Sequence, residues 1–196
     1  METQVIIVLA VAAIVIIGLG VWYFMGRTRS QNLKERFGPE YHQTVRTLKS
    51  RKAAEAELKE REKRVKEFNI VPLPPADRAK YQQSWMVVQN EFVDHPDTAV
   101  ADANRLVREV MEKRGYPVAG FEQCAADLSV DHPDVVENYR AAHRIAERSQ
   151  RGAVDTEELR QAVVYYRALF HDLLENGRPA TDKKQSRTDA KSLRAS

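Results

Sequence analysis

The hydrophobic pattern of the chain begins with one long apolar run. Residues 5–24 read VIIVLAVAAIVIIGLGVWYF, without a charged residue and without Asn, Gln, Ser or Thr. A helix that rises ~1.5 Å per residue covers about 30 Å over such a run, which is the thickness of the hydrocarbon core of a bilayer. The pattern therefore predicts a transmembrane helix over residues 5–25. Its predicted lipid-facing anchor residues are Val5, Ile6, Leu9, Ile16, Trp22 and Tyr23.

The flanks of this run predict its orientation. Residues 1–4 carry no Lys or Arg, whereas Arg27, Arg29, Lys34 and Arg36 follow the run. The positive-inside rule places residues 1–4 outside the cytoplasm and the chain after the run inside it, at the cell (inner) membrane. A cleaved signal peptide is the alternative, but the basic n-region is missing and its apolar region is normally only about 7–15 residues long. The chain has one cysteine, which agrees with a reducing compartment.

The pattern changes to mostly charged and polar residues over 26–68. Gly38-Pro39-Glu40 is typical of a helix stop followed by a helix start. Beyond it, Glu repeatedly stands four positions ahead of Lys or Arg, which favours a helix. Two short apolar seams occur, out of register with each other. They are Tyr41, Val45 and Leu48, and then Ala54, Leu58, Val65 and Phe68. We predict a basic juxtamembrane segment and a mostly solvated helical stalk, with a short two-stranded coiled coil as the alternative.

Residues 69–174 are predicted to form a helical bundle domain. They open with the Pro-rich stretch NIVPLPP, which cannot continue a helix. Apolar residues then recur at helical spacing in five stripes, and no segment alternates with period two. The stripes begin at Tyr81, Ala99, Phe121, Val135 and Leu159. The predicted class is all-α, with one N-terminal transmembrane helix, a charged helical stalk, a compact bundle of about five helices and a disordered basic tail over residues 175–196.

Charge is distributed unevenly behind the overall net charge of +3. Residues 27–68 hold 13 basic and 7 acidic side chains, residues 69–174 hold 12 and 17, and residues 175–196 hold 6 and 3. Two basic arms thus flank an acidic body. A basic segment beside a membrane is attracted to anionic lipid by up to ~1 kcal/mol per residue. Nucleic acid is disfavoured as a partner, because the acidic body would repel it and no base-reading motif is present.

One pentapeptide occurs twice, at Val93–Asp97 and at Val130–Asp134. Each copy precedes a helical stripe, so we expect Asp or His to cap a helix that has Pro at its first position. The alternative is a pair of Asp/His sites that bind a metal or transfer protons, which requires Asp131, His132 and a distant carboxylate to converge. Because no phosphate loop, nucleophile elbow or metal-binding motif accompanies the pairs, no catalytic, cofactor-binding or metal-binding residue is predicted.

A candidate partner surface comes from arginines at helical spacing and from large aromatic residues. The arginines form either a solvated, salt-bridged face or a groove for an acidic partner segment. The aromatic residues serve either as anchors for a partner or as core. The residues of this candidate surface are Arg140, Arg144, Arg148, Trp85 and Tyr139.

Three segments carry a likeness to known sequences: LKERFGPEY, RKAAEAELKEREKRV and AADLSVDHPDVVENYRAAH. They resemble a bacterial family of single-span membrane proteins that are usually labelled hypothetical or secreted proteins. The likeness covers most of the chain from Leu33 to Leu174. It implies a bacterial membrane protein, and it implies no activity.

Taken together, the patterns predict a membrane-tethered, cytoplasm-facing helical module that binds another protein. The predicted partners are the lipid bilayer and an unidentified protein, no cofactor is predicted, and the oligomeric state stays open. One alternative is a structural protein whose basic arms bind anionic lipid at the membrane surface. The other is an enzyme that uses the Asp/His pairs.

Overall fold

The computed structural model of the protein describes residues 30–175, which are almost entirely helical. Residues 30–37 form helix α1, and seven further helices follow it. They are α2 (Pro39–Leu48), α3 (Arg51–Lys66), α4 (Pro75–Asp94), α5 (Pro96–Lys113), α6 (Phe121–Asp131), α7 (Val136–Ser149) and α8 (Thr156–Glu175). No strand occurs in this range, so the predicted all-α class is confirmed for it.

The predicted membrane anchor and most of the predicted C-terminal tail lie outside residues 30–175. This includes all the anchor residues from Val5 to Tyr23, which stay predictions. Among the helices between residues 30 and 175, none combines the length and the apolar character that a membrane span requires.

Each of the five stripes predicted for residues 69–174 lies on a helix of its own, α4 to α8. Helix α5 packs between α4 and α8, and α7 packs along α8. The shared core contains a stacked pair, Trp85 and Phe170, whose ring centroids are 4.7 Å apart. Tyr139 and Tyr166 are also fully buried in it. Burial of such aromatic side chains removes about 150–250 Å² each from water and supplies much of the driving force for folding.

The predicted solvated stalk is wrong, because Pro39–Phe68 forms a helical hairpin. Helix α2 ends at Lys49, which has a left-handed backbone with φ 51°. Ser50 then caps α3, and its side chain accepts a hydrogen bond from the Ala53 amide at 3.3 Å. Because the chain reverses, the apolar seam of α2 faces the apolar seam of α3, although the two seams are out of register in the sequence. The resulting core contains Leu33, Phe37, Tyr41, Leu58, Val65 and Val130.

The hairpin packs on the bundle through α3 and α6. Val130 of α6 is 1% exposed and belongs to the core of the hairpin. The following linker, residues 69–74, is not helical, as predicted, but it also packs against the bundle. Its Val71 amide donates to the carbonyl of Arg114 at 2.9 Å. Gly115 permits this approach, because it has φ +96° and a Cβ there would lie 2.4 Å from the Asn69 oxygen.

Candidate functional site

The predicted aromatic anchors are part of the core. Trp85 is 3% exposed and Tyr139 is 1% exposed, so neither presents a surface to a partner. Tyr139 packs beside Phe121, with ring centroids 5.0 Å apart. Burial raises the pKa of Tyr139 well above its ordinary value. For these two residues the core interpretation is the correct one, because a helix buries the side of its surface that carries the large apolar residues.

Arg140 binds an acidic residue, but that residue belongs to the same chain. Its guanidinium donates to Glu40 in a bidentate arrangement, at 2.5 Å and 2.9 Å. Arg61 donates to the same carboxylate at 2.7 Å. Burial opposes the charged form of Arg140, yet the hydrogen bonds to Glu40 and the charges of the nearby carboxylates together outweigh burial and raise its pKa. Arg140 is therefore occupied by α2 and does not line an open groove for an acidic partner segment.

Arg144 and Arg148 remain on the surface of α7. Arg144 lies 3.5 Å from Glu137, and Arg148 pairs with Glu158. Such exposed pairs contribute about 0–1 kcal/mol each. These two residues fit the interpretation of a solvated, salt-bridged face.

The ion pairs of Glu40 form half of a clamp between the hairpin and the bundle. The other half joins Arg64 of α3 to Asp127 of α6, with N–O distances of 2.7 Å. Both carboxylate side chains are 2% exposed. Removing one partner of a buried pair leaves an uncompensated charge and costs about 3–5 kcal/mol. This clamp, which we define as Glu40, Arg61, Arg140, Arg64 and Asp127, therefore fixes the hairpin on the bundle.

The two copies of the pentapeptide have the same local backbone and different surroundings. His95 is exposed at the end of α4, whereas His132 is 3% exposed at the end of α6. Pro96 starts α5 as predicted, but Pro133 lies in a turn and α7 starts at Val136. The predicted helix start with Pro at its first position is thus confirmed for the first copy and is displaced by three residues for the second, but no side chain caps either helix.

His132 lies in a buried polar cluster at one end of the bundle. Its Nδ1 is hydrogen-bonded to Oδ2 of Asp172, on α8. Its Nε2 lies 3.5 Å from Nη1 of Arg114, and the same Nη1 donates to the carbonyl of Leu173 at 3.0 Å. Burial lowers the pKa of Arg114, although a guanidinium stays protonated in proteins. The cluster joins the ends of α5, α6 and α8.

Tyr116 and Asp131 complete this cluster. The Tyr116 hydroxyl donates to Oδ2 of Asp131 at 3.0 Å. Burial and the nearby carboxylate raise the pKa of Tyr116 far above its ordinary value, so the phenol stays neutral and donates. We define the His132 cluster as Arg114, Tyr116, Asp131, His132 and Asp172.

The His132 cluster brings together the residues that the enzyme hypothesis requires, but none of the nitrogens of His132 is accessible to a substrate. Asp131, His132 and the distant carboxylate of Asp172 do lie together. However, both ring nitrogens of His132 face protein groups, and its side chain is 1% exposed. Over residues 30–175, no group of three or more His, Cys, Asp or Glu side chains has the arrangement of a metal site. The geometry supports a structural role that fixes three helix ends.

A different candidate surface lies on α4, at the edge of the bundle. Trp85 and Val88 face inward and are buried. Between Tyr81 and Asn90 the opposite side is exposed and lacks charge, although charged residues make up 30% of the chain. We define this outer face of α4 as Gln82, Gln83, Met86, Val87, Asn90 and Val93. Its three apolar residues are 57%, 65% and 81% exposed, and only two other large apolar residues of the described chain, Leu48 and Val71, are classed as exposed.

In the second half of α3, arginines and lysines lie on different sides of the helix. Arg61 and Arg64 face the protein and bind the buried carboxylates of the clamp. Arg suits this role because its planar fork binds carboxylates bidentately and is weakly hydrated, whereas the Lys ammonium is strongly hydrated. The exposed side of α3 carries lysines at helical spacing. This lysine row consists of Lys52, Lys59, Lys63 and Lys66.

Comparisons with other proteins do not assign the chain to a family. No protein-family model, no curated protein and no solved structure matches it. The resemblance to single-span bacterial membrane proteins therefore stays a prediction, and the function is argued from the geometry of residues 30–175.

Proposed function

We propose that the protein is a membrane-tethered helical module that works by binding protein on the cytoplasmic side of the membrane. The observation that carries this proposal is the outer face of α4. Solvent-exposed apolar side chains that cluster on one face, without charge between them, mark an interaction site more often than a free surface. Met86 and Val87 lie in the uncharged stretch Tyr81–Asn90, and Val93 lies in the last turn of the same helix.

The clamp supports the tethered part of the proposal. Helix α1 follows the predicted membrane span in sequence, and the core of the hairpin holds α1 through Leu33 and Phe37. The clamp then holds the hairpin on the bundle through Glu40 and Asp127. A body fixed in this way follows its anchor closely, in contrast to a body on a free stalk of about 45 Å. The outer face of α4 would then have a restricted orientation above the bilayer.

Site-specific photocrosslinking tests the binding proposal in the full chain. A benzophenone amino acid is placed at Gln83, on the outer face of α4, and the protein is irradiated in the membranes of the cell that makes it. We expect a discrete covalent adduct with protein. The matched control places the same probe at Val71, which is 42% exposed but belongs to the linker before α4 and not to its outer face. Adducts of equal yield from both positions, or none from Gln83, would contradict the proposal.

Cysteine labelling tests the orientation of the predicted anchor. The single native thiol is removed by Cys124→Ser, which keeps a donor for the Pro117 carbonyl that Cys124 now contacts at 3.1 Å. Gln4→Cys and Leu48→Cys are then compared in intact cells with a membrane-impermeant maleimide. We expect Gln4→Cys to react in intact cells and Leu48→Cys to react only after lysis. The reverse order, or a mature chain that lacks residue 4, would contradict the topology.

The lysine row of α3 favours a second candidate function, which is contact with anionic lipid. Four ammonium groups on one side of a helix near the predicted anchor would each gain up to ~1 kcal/mol at an anionic membrane surface. The full chain carrying a fluorophore at Lys59→Cys is reconstituted into vesicles that contain a headgroup quencher. We expect quenching in phosphatidylglycerol vesicles that decreases as salt is added. Equal quenching in neutral phosphatidylcholine vesicles would remove this candidate.

A further inference from the structure

We infer that the partner of the outer face of α4 is the same face of a second copy of this chain, in an antiparallel pair. This inference rests on the proposed function and names its partner. Ala79, Met86 and Val93 are all exposed and lie seven residues apart. Residues at this spacing follow one line along a helix, and a helix that packs through such a line wraps slightly around its partner. The line extends for about 21 Å along α4.

An antiparallel pair with a two-fold axis beside Met86 is complementary in shape and in charge. The axis brings Met86 against the same residue of the other copy. It brings the small side chain of Ala79 opposite the branched side chain of Val93. Lys80 and Asp94 are the neighbours of these two residues and are both exposed, so the axis also brings them together on one side of the contact. A parallel pair would instead leave Lys80 about 21 Å along the helix from Asp94 of the other copy.

The absence of charge on this face favours a second copy over the other occupants. An acidic or basic partner would find no opposite charge among the residues of the outer face of α4. The chain's own residues 176–196 are a poor fit, because their only large aliphatic side chain is Leu193 and they carry six basic residues. A second copy offers a face that is also uncharged at its centre. At each end of the contact, Lys80 of one copy then lies near Asp94 of the other. Closed two-fold pairing is also the commonest symmetry of protein oligomers.

The size of this contact implies a weak dimer in solution. One pair of helices in contact over about four turns buries much less than the ~1,600 Å² of a standard stable interface. The proposed anchor compensates for this, because two chains in one membrane are held at high local concentration. The full chain in its membrane is therefore the form in which the pair is expected.

Disulfide crosslinking in the full chain tests the pair directly. In the Cys124→Ser background, Met86→Cys lies on the two-fold axis and Val93→Cys lies away from it. On oxidation we expect Met86→Cys to give a product of twice the 22.4 kDa chain, and we expect little from Val93→Cys. Val71→Cys is the matched exposed control. Equal dimer from Val93→Cys would overturn the antiparallel geometry, and no dimer from Met86→Cys would overturn the inference.

A charge exchange tests the end contacts. Lys80→Glu and Asp94→Lys are each expected to lower the yield of the Met86→Cys dimer about two- to fivefold, which is the range for an exposed ion pair, and the double variant should restore it. Arg151→Glu, at an exposed position in the turn after α7, is the matched control and should leave the yield unchanged. The photocrosslinking result at Gln83 distinguishes the proposed function from the identity of the partner. A covalent adduct whose mass is not twice that of the chain, with no dimer present, would overturn the inference of a second copy and leave the proposed function standing.

Discussion

The pentapeptide Val-Asp-His-Pro-Asp shows how the same residues acquire different roles in two regions of the molecule. In both copies the His ends a helix with nearly the same backbone, φ −136° and ψ 72° at His95 and φ −129° and ψ 49° at His132. In both, the His amide donates to the carbonyl four residues earlier at 2.8 Å. Yet Val93 is 81% exposed while Val130 is 1% exposed. The local sequence specifies the turn, and the neighbouring helices decide what the turn does.

The difference arises from the position of each helix in the bundle. Helix α4 is an edge helix, so its end projects Val93 and His95 into solvent. Helix α6 lies between the hairpin and the bundle, so its end meets both cores: Val130 enters the core of the hairpin, and His132 meets Asp172 of α8. The exposed copy belongs to the proposed binding face, and the buried copy joins helix ends. The same segment is therefore structural in one place and belongs to a proposed binding face in the other.

Replacing the two histidines should give the largest difference between the copies. His132→Ala removes one hydrogen-bond partner of Asp172 and leaves a cavity in a buried network, and we expect the free energy of unfolding to decrease by about 3 kcal/mol. His95→Ala, the matched variant at the exposed copy, should change it by less than about 0.5 kcal/mol. Denaturant unfolding of the full chain in detergent, followed by circular dichroism, measures both. Equal losses would mean that the His132 cluster does not hold the helix ends.

The aspartates that precede the histidines should differ by a smaller amount. Asp131 accepts a hydrogen bond from Tyr116, so Asp131→Ala should cost about 1 kcal/mol. Tyr116→Phe should cost a similar amount, and the double variant should cost less than the sum, because both changes remove the same bond. Asp94→Ala is the counterpart in the exposed copy and is expected to lie within about 0.5 kcal/mol. Additive losses in the double variant would contradict the proposed contact.

The prolines, in contrast, should respond equally in both copies. Proline stabilises a compatible backbone mainly by restricting the unfolded chain, by about 0.4–1 kcal/mol, and this effect does not depend on burial. Pro96→Ala and Pro133→Ala are therefore both expected to lower the free energy of unfolding by an amount in this range. The same unfolding measurement applies. A loss at Pro133 several times that at Pro96 would show that the turn before α7 contributes contacts of its own.

Periodicity predicted the bundle but not the contacts between distant segments. The five stripes beginning at Tyr81 mark α4 to α8, because a helix that buries one side repeats its apolar residues every three or four positions. The seams of Tyr41 and Leu58 were recognised as out of register, and this was the signal of a hairpin. The sequence predicts a solvated stalk instead because residues 40–68 contain no Gly or Pro, and the left-handed backbone of Lys49 marks the reversal only in the structure.

The clamp and the His132 cluster depend on pairs that sequence spacing does not reveal. The sequence predicts either a solvated, salt-bridged face or a groove for an acidic partner at Arg140, whereas its carboxylate partner is Glu40, 100 residues earlier in the chain. Asp172 lies 40 residues after His132. Nothing in the local pattern of either region specifies such a partner, because the pairing is set by how the helices pack. The outer face of α4 did have a local signal, which is the lack of charge from Tyr81 to Asn90.

A third histidine gives an intermediate case between the two copies and the smallest expected effect. His143 is half-buried and stacks on Phe121, with ring centroids 3.6 Å apart. Burial lowers its pKa below the ordinary value of 6.5. As the pH falls, the unfolded chain therefore binds a proton at this histidine before the folded chain does. The free energy of unfolding is highest above pH 6.5 and decreases as the pH falls from 6.5 towards the lower pKa of the folded state. Proton NMR of the ring should show this pKa directly, and His143→Phe should remove that part of the pH dependence. An imidazole that titrates above 6.5 would mean that Glu147, 3.6 Å away, outweighs burial.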